Sequence, residues 1–413
     1  MSGKFKSLLL LVGMCAGTMT SGGAVLADTG NGSSSFSLRG FGTVGVARSS
    51  SSHAEFVRDM SQPVGIKDGQ WSGRIDSILG VQANWQATAD IELVGQVVSR
   101  LHYDRSHNPE VMWAFAKWEP DPRFSLRAGR IGADFMILAD SRLVGYSYLP
   151  VRPSPDFFGP LFFSHFDGAD ASAAMPLGNG VLRGKIFGGW THEKSAGALG
   201  VWDTNGPALR GVVLEYVEGP WQFRGNLASI RFAADMNTAF LSNPLRNIGT
   251  SQSIAAAEAL NIKDTVTRFL SLGIVYDQGP VLVQGMLNKI TSETQIVEDS
   301  HAGYLLAGYR LGALTPFAGV SRWKTKRGEP PSTGLPATHP LNLGYLQFFD
   351  SIHVDRTTYS LGMRWDWRSD MALKFQWDAV RATSDTRVFS LRNVDPEWNG
   401  KTDVLSVTLD FIF

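Results

Sequence analysis

The chain has 413 residues, 43% apolar and 18% charged, and its 38 Lys and Arg balance 38 Asp and Glu. That balance gives no electrostatic support for a nucleic-acid partner. Cys15 is the single cysteine, which excludes a disulfide framework and a cysteine-ligated metal site.

At the start, Lys4 and Lys6 precede the apolar run of residues 8–12, which continues through small and apolar residues to Met19. Val25-Leu26-Ala27 then closes a small-x-small pattern. This is the layout of a secretory signal peptide over residues 1–27 with cleavage after Ala27. The run is shorter than the roughly 20 residues a spanning helix needs. Acylation at Cys15 is the alternative, disfavoured by Met14 before it. Cleavage removes two lysines and no acid, leaving 36 basic and 38 acidic residues, a net charge of −2.

Beyond Ala27 the recurring signal is period-two alternation in segments of about ten residues, the length a tilted strand needs to cross a bilayer. Leu79, Val81, Ala83 and Trp85 alternate with Gly80, Gln82, Asn84 and Gln86. Trp221, Phe223 and Leu227 alternate with Gln222, Arg224 and Asn226, and Leu373, Phe375 and Trp377 with Lys374, Gln376 and Asp378. In chain order the pattern predicts strands at 36–48, 77–87, 91–102, 110–118, 123–131, 167–176, 181–191 and 207–217. It continues at 221–232, 265–277, 281–292, 302–311, 314–324, 356–367, 371–382 and 402–413. The chain ends on a strand in which Leu405, Val407, Leu409, Phe411 and Phe413 form one apolar face.

Seven connections are tight and rich in Gly, Pro, Asp and Asn: 88–90, 119–122, 177–180, 218–220, 278–280, 312–313 and 368–370. The eight connections between them are longer. Trp85, Trp118, Tyr216, Trp221, Tyr276, Phe317, Trp365 and Trp367 all fall near tight turns, as an interfacial aromatic girdle would. Together these features predict an all-β fold: a 16-stranded antiparallel transmembrane β-barrel with long external loops, short periplasmic turns and both termini periplasmic. A soluble sandwich or propeller would also alternate, but closure leaves no strand edge. Barrels of this strand number enclose an aqueous channel.

The architecture resembles the Gram-negative outer-membrane porin family over essentially the whole mature chain. The resemblance is most specific where Arg127-Ala128-Gly129-Arg130 runs into the longest connection, as an R-x-G-R strand does before the third external loop of that family. It implies an integral outer-membrane protein among lipid and lipopolysaccharide, a homotrimer, passive diffusion of small polar solutes, and no cofactor. The family's third loop folds into the barrel and narrows the pore.

The candidate constriction loop is 132–165, crowded with Tyr, Phe and Pro. So apolar a loop requires cover, in the lumen or against a neighbour. It carries Asp134, Asp140, Arg142, Arg152 and Asp156. The wall candidates on polar faces are Arg100, Arg127, Lys185, Arg224, Arg364 and Lys374, while the acids Glu92, Asp366 and Asp410 fall near the periplasmic mouth. Carboxylates facing such bases would set a transverse field, and the excess of wall bases predicts a slight anion preference. The segment 233–264 contains the helix-prone run 255–260, which would form a plug element or an external helix.

Two other functions remain open. The aromatic loop also suits a substrate-specific uptake channel for sugars, carboxylates or aromatic compounds. An outer-membrane enzyme would need a base beside a nucleophile. His53, His102, His107, His165, His192, His301, His339 and His353 all fall in loops or at loop edges, where solvated roles are expected, and no metal-binding spacing such as H-E-x-x-H occurs. Gly40-Phe41-Gly42 reads as strand glycine, since no helix follows to cradle a phosphate.

Overall fold

A strand with one apolar and one polar row needs a different environment for each. In the computed structural model, which describes residues 35–197, 200–383 and 391–413, a closed barrel supplies both. The predicted signal peptide lies outside the described residues. The barrel strands are β1 (Ser35–Ser49), β2 (Ile78–Gln86), β3 (Ile91–Ser99), β4 (Glu110–Asp121), β5 (Phe124–Gly132), β6 (His165–Leu177), β7 (Gly180–Trp190) and β8 (Ala208–Glu218). They continue as β9 (Trp221–Arg231), β10 (Val266–Gln278), β11 (Val281–Ser292), β12 (Ser300–Tyr309), β13 (Leu314–Thr325), β14 (Asp355–Arg368), β15 (Met371–Ala382) and β16 (Lys401–Ile412). Each pairs antiparallel with its neighbours in sequence. β1 also pairs with β16, from Phe41 opposite Ile412 to Ser49 opposite Val404, which closes the sheet. A two-residue strand, Trp71–Ser72, extends the β1 ladder past β2.

The two rows separate as parity requires. Leu79, Val81, Trp85, Leu227, Leu361 and Trp377 point outward and are exposed, whereas Gln96, Ser271, Gln284, Asn288, Gln376 and Ser406 point inward and are buried. An exposed apolar row belongs in hydrocarbon. Trp85, Trp118, Trp221, Trp365 and Trp367 are exposed at the tight-turn ends, and the Trp221 and Tyr276 rings lie 4.6 Å apart. Phe317 does not join them. It points inward, 3% exposed, into a cluster with Leu149 and Leu306.

Element ends differ from the expectation by two or three residues at several strands: β3 stops at Ser99 rather than 102, which leaves Arg100 in the connection, and β6 begins at His165 rather than 167. β4 runs on through Pro120 to Asp121, because the β4–β5 register breaks between Trp118 and Asp121 and Pro120 owes no N–H there. β12 spans Ser300–Tyr309 rather than 302–311, so the following turn takes in Arg310 and Leu311.

The long connections all open at one end of the barrel and carry their own structure. Helix α1 (Pro155–Phe158) lies in the connection 133–164. The segment 233–264 holds α2 (Ala239–Ile248) and α3 (Ser251–Ala259). Gly249 ends α2 with φ +76°, a conformation glycine adopts at no steric cost, and Thr250 caps α3 by accepting the Ser253 N–H at 3.1 Å. A further helix, α4 (Pro340–Ser351), fills the connection before β14. Leu241, Leu245, Ala256, Tyr345 and Phe349 from these helices, with Leu260 just after α3, join one buried cluster with Phe135, Phe157 and Phe163 of the connection 133–164. The helices therefore form a cap whose apolar side meets the folded-in loop.

Candidate functional site

The connection 133–164, called L3 below, leaves β5 at Gly132 and turns into the barrel. Its first anchor is Asp134. Lys185 on β7 and Arg224 on β9 each donate to its carboxylate at 2.5 Å and to its carbonyl at 2.7 and 3.0 Å. Burial pushes the Asp134 carboxyl up, but Arg224, Lys185 and Arg127 outweigh it and hold the group below the usual carboxylate range. Ile137 covers Gly273 of β10, and Leu143 packs with Phe41, Ile78, Val98 and Met112 on β1 to β4.

The loop then reaches the far rim. The Tyr146 hydroxyl donates to the carbonyl of Ser369, in the tight turn between β14 and β15, at 2.7 Å. L3 therefore traverses the full height of the lumen. From there it climbs along β15, whose inward row supplies successive partners. Lys374 donates to the carbonyls of Gly145, Tyr148 and Pro150 at 2.7, 2.6 and 3.0 Å. Gln376 accepts the Val151 N–H at 2.6 Å, and Arg152 meets Asp378 at 2.8 Å. Arg364 on β14 adds bonds to the carbonyls of Tyr146 and Tyr148 at 2.8 and 3.0 Å.

Arg152 has no exposed side-chain surface. It bonds Asp76 at 3.0 and 2.6 Å, Asp378, and the Ser406 hydroxyl at 2.6 Å. These carboxylates raise its pKa against the opposing effect of burial. Higher up, Asp156 in α1 accepts from Ser321 at 2.6 Å and Arg356 at 2.5 Å. Arg142 then ties the loop to itself through the Phe163 carbonyl at 2.8 Å and the Ser164 hydroxyl at 2.6 Å.

Most residues singled out in the sequence therefore converge on one structure. Asp134, Arg142, Arg152 and Asp156 hold L3 from within, and Lys185, Arg224, Arg364 and Lys374 grip it from the wall. Arg127 instead pairs with Asp170 on β6 at 2.5 Å. Arg100 sits at the loop rim, bonding Ser61 at 2.7 Å and lying 3.9 and 3.8 Å from Glu110 and Glu193. Asp140 stands apart, with no hydrogen bond or ion pair within 4.0 Å among the described residues. Burial, reinforced by Asp134, pushes its carboxyl up to about 6. Asp410, near the tight-turn rim, is fully buried against Lys374 at 3.0 Å and the Thr43 hydroxyl at 2.5 Å, because the L3 tip descends to its level.

Several partners were not singled out. Asp76 and Arg58 come from the first long connection, 50–77, which also folds inward. Arg58 lies 3.6 Å from Asp76 and donates to the Arg142 carbonyl and Tyr148 hydroxyl at 2.7 and 2.9 Å. Nothing in the composition of that segment separates these charges from surface ones. The expectation of solvated histidines also fails in part. His165 is 2% exposed, with Nδ1 3.2 Å from Glu193, and His102 and His353 are buried as well. Glu110, His165 and Glu193 place ligand atoms within 4.8 Å of one another, but Arg100 already supplies positive charge to both carboxylates.

A closed sixteen-stranded barrel, apolar outside and polar inside, with a long loop folded through its lumen, is a porin-like barrel fold. Searches with family models and among curated proteins give no match. Solved structures do match. The chain is similar to OmpT, an outer membrane protein of Vibrio cholerae, with TM-score 0.55 and 14% identity over 95% of this chain and 100% of that one. OmpT is also described in a trimer form. The anion-selective porin from Comamonas acidovorans matches with TM-score 0.53 and 13% identity over 92% of this chain and 100% of the other. The outer membrane channel DcaP of Acinetobacter baumannii matches with TM-score 0.52 and 9% identity over 94% and 100%. At these identities the likeness establishes the fold.

Proposed function

We propose that this protein is a selective diffusion channel of the outer membrane, passing small solutes through a lumen that L3 narrows along its whole height. The observation that carries the reading is the course of L3, pinned to the wall at Asp134, at Tyr146, along Lys374–Asp378 and at Asp156. A wide, general pore is less well supported, since loop and wall touch where an open gap with a transverse field was expected. The six wall bases named for an anion preference each have a carboxylate or carbonyl partner, so they lend that preference little support.

In this reading residues 1–27 are a cleaved leader, both termini face the periplasm and the long loops face outward. The reading assigns transport rather than catalysis, because the buried carboxylates Asp76, Asp156, Asp170 and Asp378 each lie against an arginine as counter-ions. A trimer is supported by the outward row across β2 to β5, where Ala83, Gly95, Ala114, Ala116 and Ala128 leave a flat surface suited to close approach of a second barrel.

The deciding experiment is single-channel recording of the purified protein in a planar bilayer, with reversal potential under a salt gradient. Small, stable steps with weak ion preference are expected. Large ohmic steps would overturn the narrowed-lumen reading, and the absence of any conductance would overturn the channel itself.

A further inference from the structure

Above L3, on the long-loop side, the cap encloses a cavity of about 420 Å³. Met136 and Phe157 of L3 form its floor, so it lies between the loop-side opening and the anchors of L3 below. Phe162, Trp202 and Phe232 form an aromatic cluster in its wall, with ring centroids 5.2, 6.0 and 5.8 Å apart. Glu298 is the one charged side chain in the described lining, and His353 faces it at 3.2 Å. Trp202 is 6% exposed, and its indole Nε1–H has no hydrogen-bond partner among the described residues.

A buried donor without an acceptor is costly, and ligand pockets of several hundred Å³ are typically apolar with a few placed polar groups. Asn237, Thr267, Asn288, Ser300, Thr325, Ser351 and Asn393 give the chamber a polar side that water can occupy, whereas the aromatic side around Trp202 offers water few of the two to four partners it needs. An apolar cavity of about 150 Å³ already takes up benzene. Nearly three times that volume accommodates one or two fused rings. We infer that this chamber is a capture site for a small uncharged aromatic solute that carries one hydrogen-bond acceptor, which the Trp202 indole would engage. The inference rests on the channel reading, which places the chamber at the entrance to the path. An anionic solute would meet the Glu298 carboxylate and no lining cation among the described residues, and the enclosed volume is too small for a folded partner.

The test uses the full protein and 2-naphthol as probe. Calorimetric titration in non-ionic detergent is expected to show saturable one-to-one binding above micelle partitioning. Met136→Trp, which fills the floor, should abolish the saturable component. Trp202→Phe, which keeps the ring and removes the donor, should weaken it about three- to tenfold, the scale of one neutral hydrogen bond. Crystals soaked in 4-bromophenol provide a check without variants, since a bromine anomalous peak must fall within the chamber. Non-saturable heat identical in wild type and Met136→Trp, or a bromine peak only outside the barrel, would overturn the proposal. Saturable binding without any channel conductance would sink the channel reading and leave the chamber standing. Conductance without saturable binding would do the reverse.

Discussion

Arg152 offers the sharpest test of whether L3 is held as a single clamped element. In Arg152→Met the side-chain volume over the Phe56 ring is largely kept, but Asp76 and Asp378 lose their shared counter-charge while 1% and 0% exposed. Removing one partner of a buried ion pair costs about 3–5 kcal/mol. Asp76 retains Arg58 at 3.6 Å and Asp378 retains the Ser360 hydroxyl at 2.6 Å, which places the cost toward the lower end of that range. At about 1.4 kcal/mol per decade, roughly 3 kcal/mol lowers the ratio of docked to released L3 by about a hundredfold. Single-channel recording should then show larger and noisier steps than wild type. Adding Asp76→Asn and Asp378→Asn removes the stranded charges and should restore small, quiet steps in part. If Arg152→Met lowered the thermal midpoint yet left conductance unchanged, the clamp would be structural and L3 would not be what narrows the pore. If neither quantity moved, the clamp itself would be refuted.

Four further outcomes follow from the same geometry. Lys374→Met strands three L3 carbonyls and the buried Asp410, so it should destabilise the loop tip by about 3–5 kcal/mol and raise the open-channel current, read by thermal unfolding and bilayer recording. Gly145→Ala should act in the same direction, because a Cβ there would collide with Asp410 and the Thr43 hydroxyl; unchanged conductance would count against the position of the tip. Asp140 takes up a proton as pH falls through about 6, which removes a negative charge beside Asp134 and should make chloride relatively more permeant. Reversal potentials at about pH 5 and about pH 8 should therefore differ in wild type and coincide in Asp140→Asn. The stability sign is the opposite of an ordinary ion-paired carboxylate. With its pKa raised by burial and then by Asp134, Asp140 favours the fold while protonated and loses that contribution as pH rises through about 6. Asp140→Asn should accordingly be neutral or stabilising at about pH 8, as read by thermal midpoint.

The barrel was legible because its information is local. Period-two alternation, turn residues and the apolar terminal strand each act over a few residues, and parity alone placed Gln376, Lys374 and Asp378 on the inward row. Phe317 shows the limit of such reasoning. Its position near a turn suggested the girdle, but the parity of β13, with Thr315 and Ser321 buried beside it, turns the ring into the lumen. The loop was legible in composition but not in course. Its aromatic and proline content required cover, yet nothing in the sequence indicates that Tyr146 descends to Ser369, because that contact joins positions more than two hundred residues apart. Asp76 and Arg58 were invisible for the same reason. Residues of a polar connection look solvated until the loop that buries them is in place. His165 was misjudged because its rim position suggested solvent, while its burial depends on Glu193 in the next connection.

These misses share one cause, which also bears on function. A lumen face is polar whether it lines water or packs against a loop, so the wall sequence does not distinguish an open pore from a filled one. The pairing does distinguish them. In an open lumen, bases can remain solvated and act as a field on passing ions. Here Lys185, Arg224, Arg364 and Lys374 are committed to carboxylates and carbonyls of L3 or of adjacent strands, at distances that leave little room for intervening water. Buried charges are tolerated only when paired, so each of these bonds is also a requirement that L3 stay where it is. Selectivity then has to come from what remains unpaired. Among the described residues, Asp140 of the loop has no hydrogen bond or ion pair, and in the chamber above it the Trp202 indole has no acceptor. The first can sense pH and ionic charge, and the second can recognise an acceptor on an otherwise apolar solute. If the proposed channel reading holds, such a channel would discriminate twice, by aromatic capture at its entrance and by charge below, and substitution of either residue should remove one discrimination while leaving the other intact.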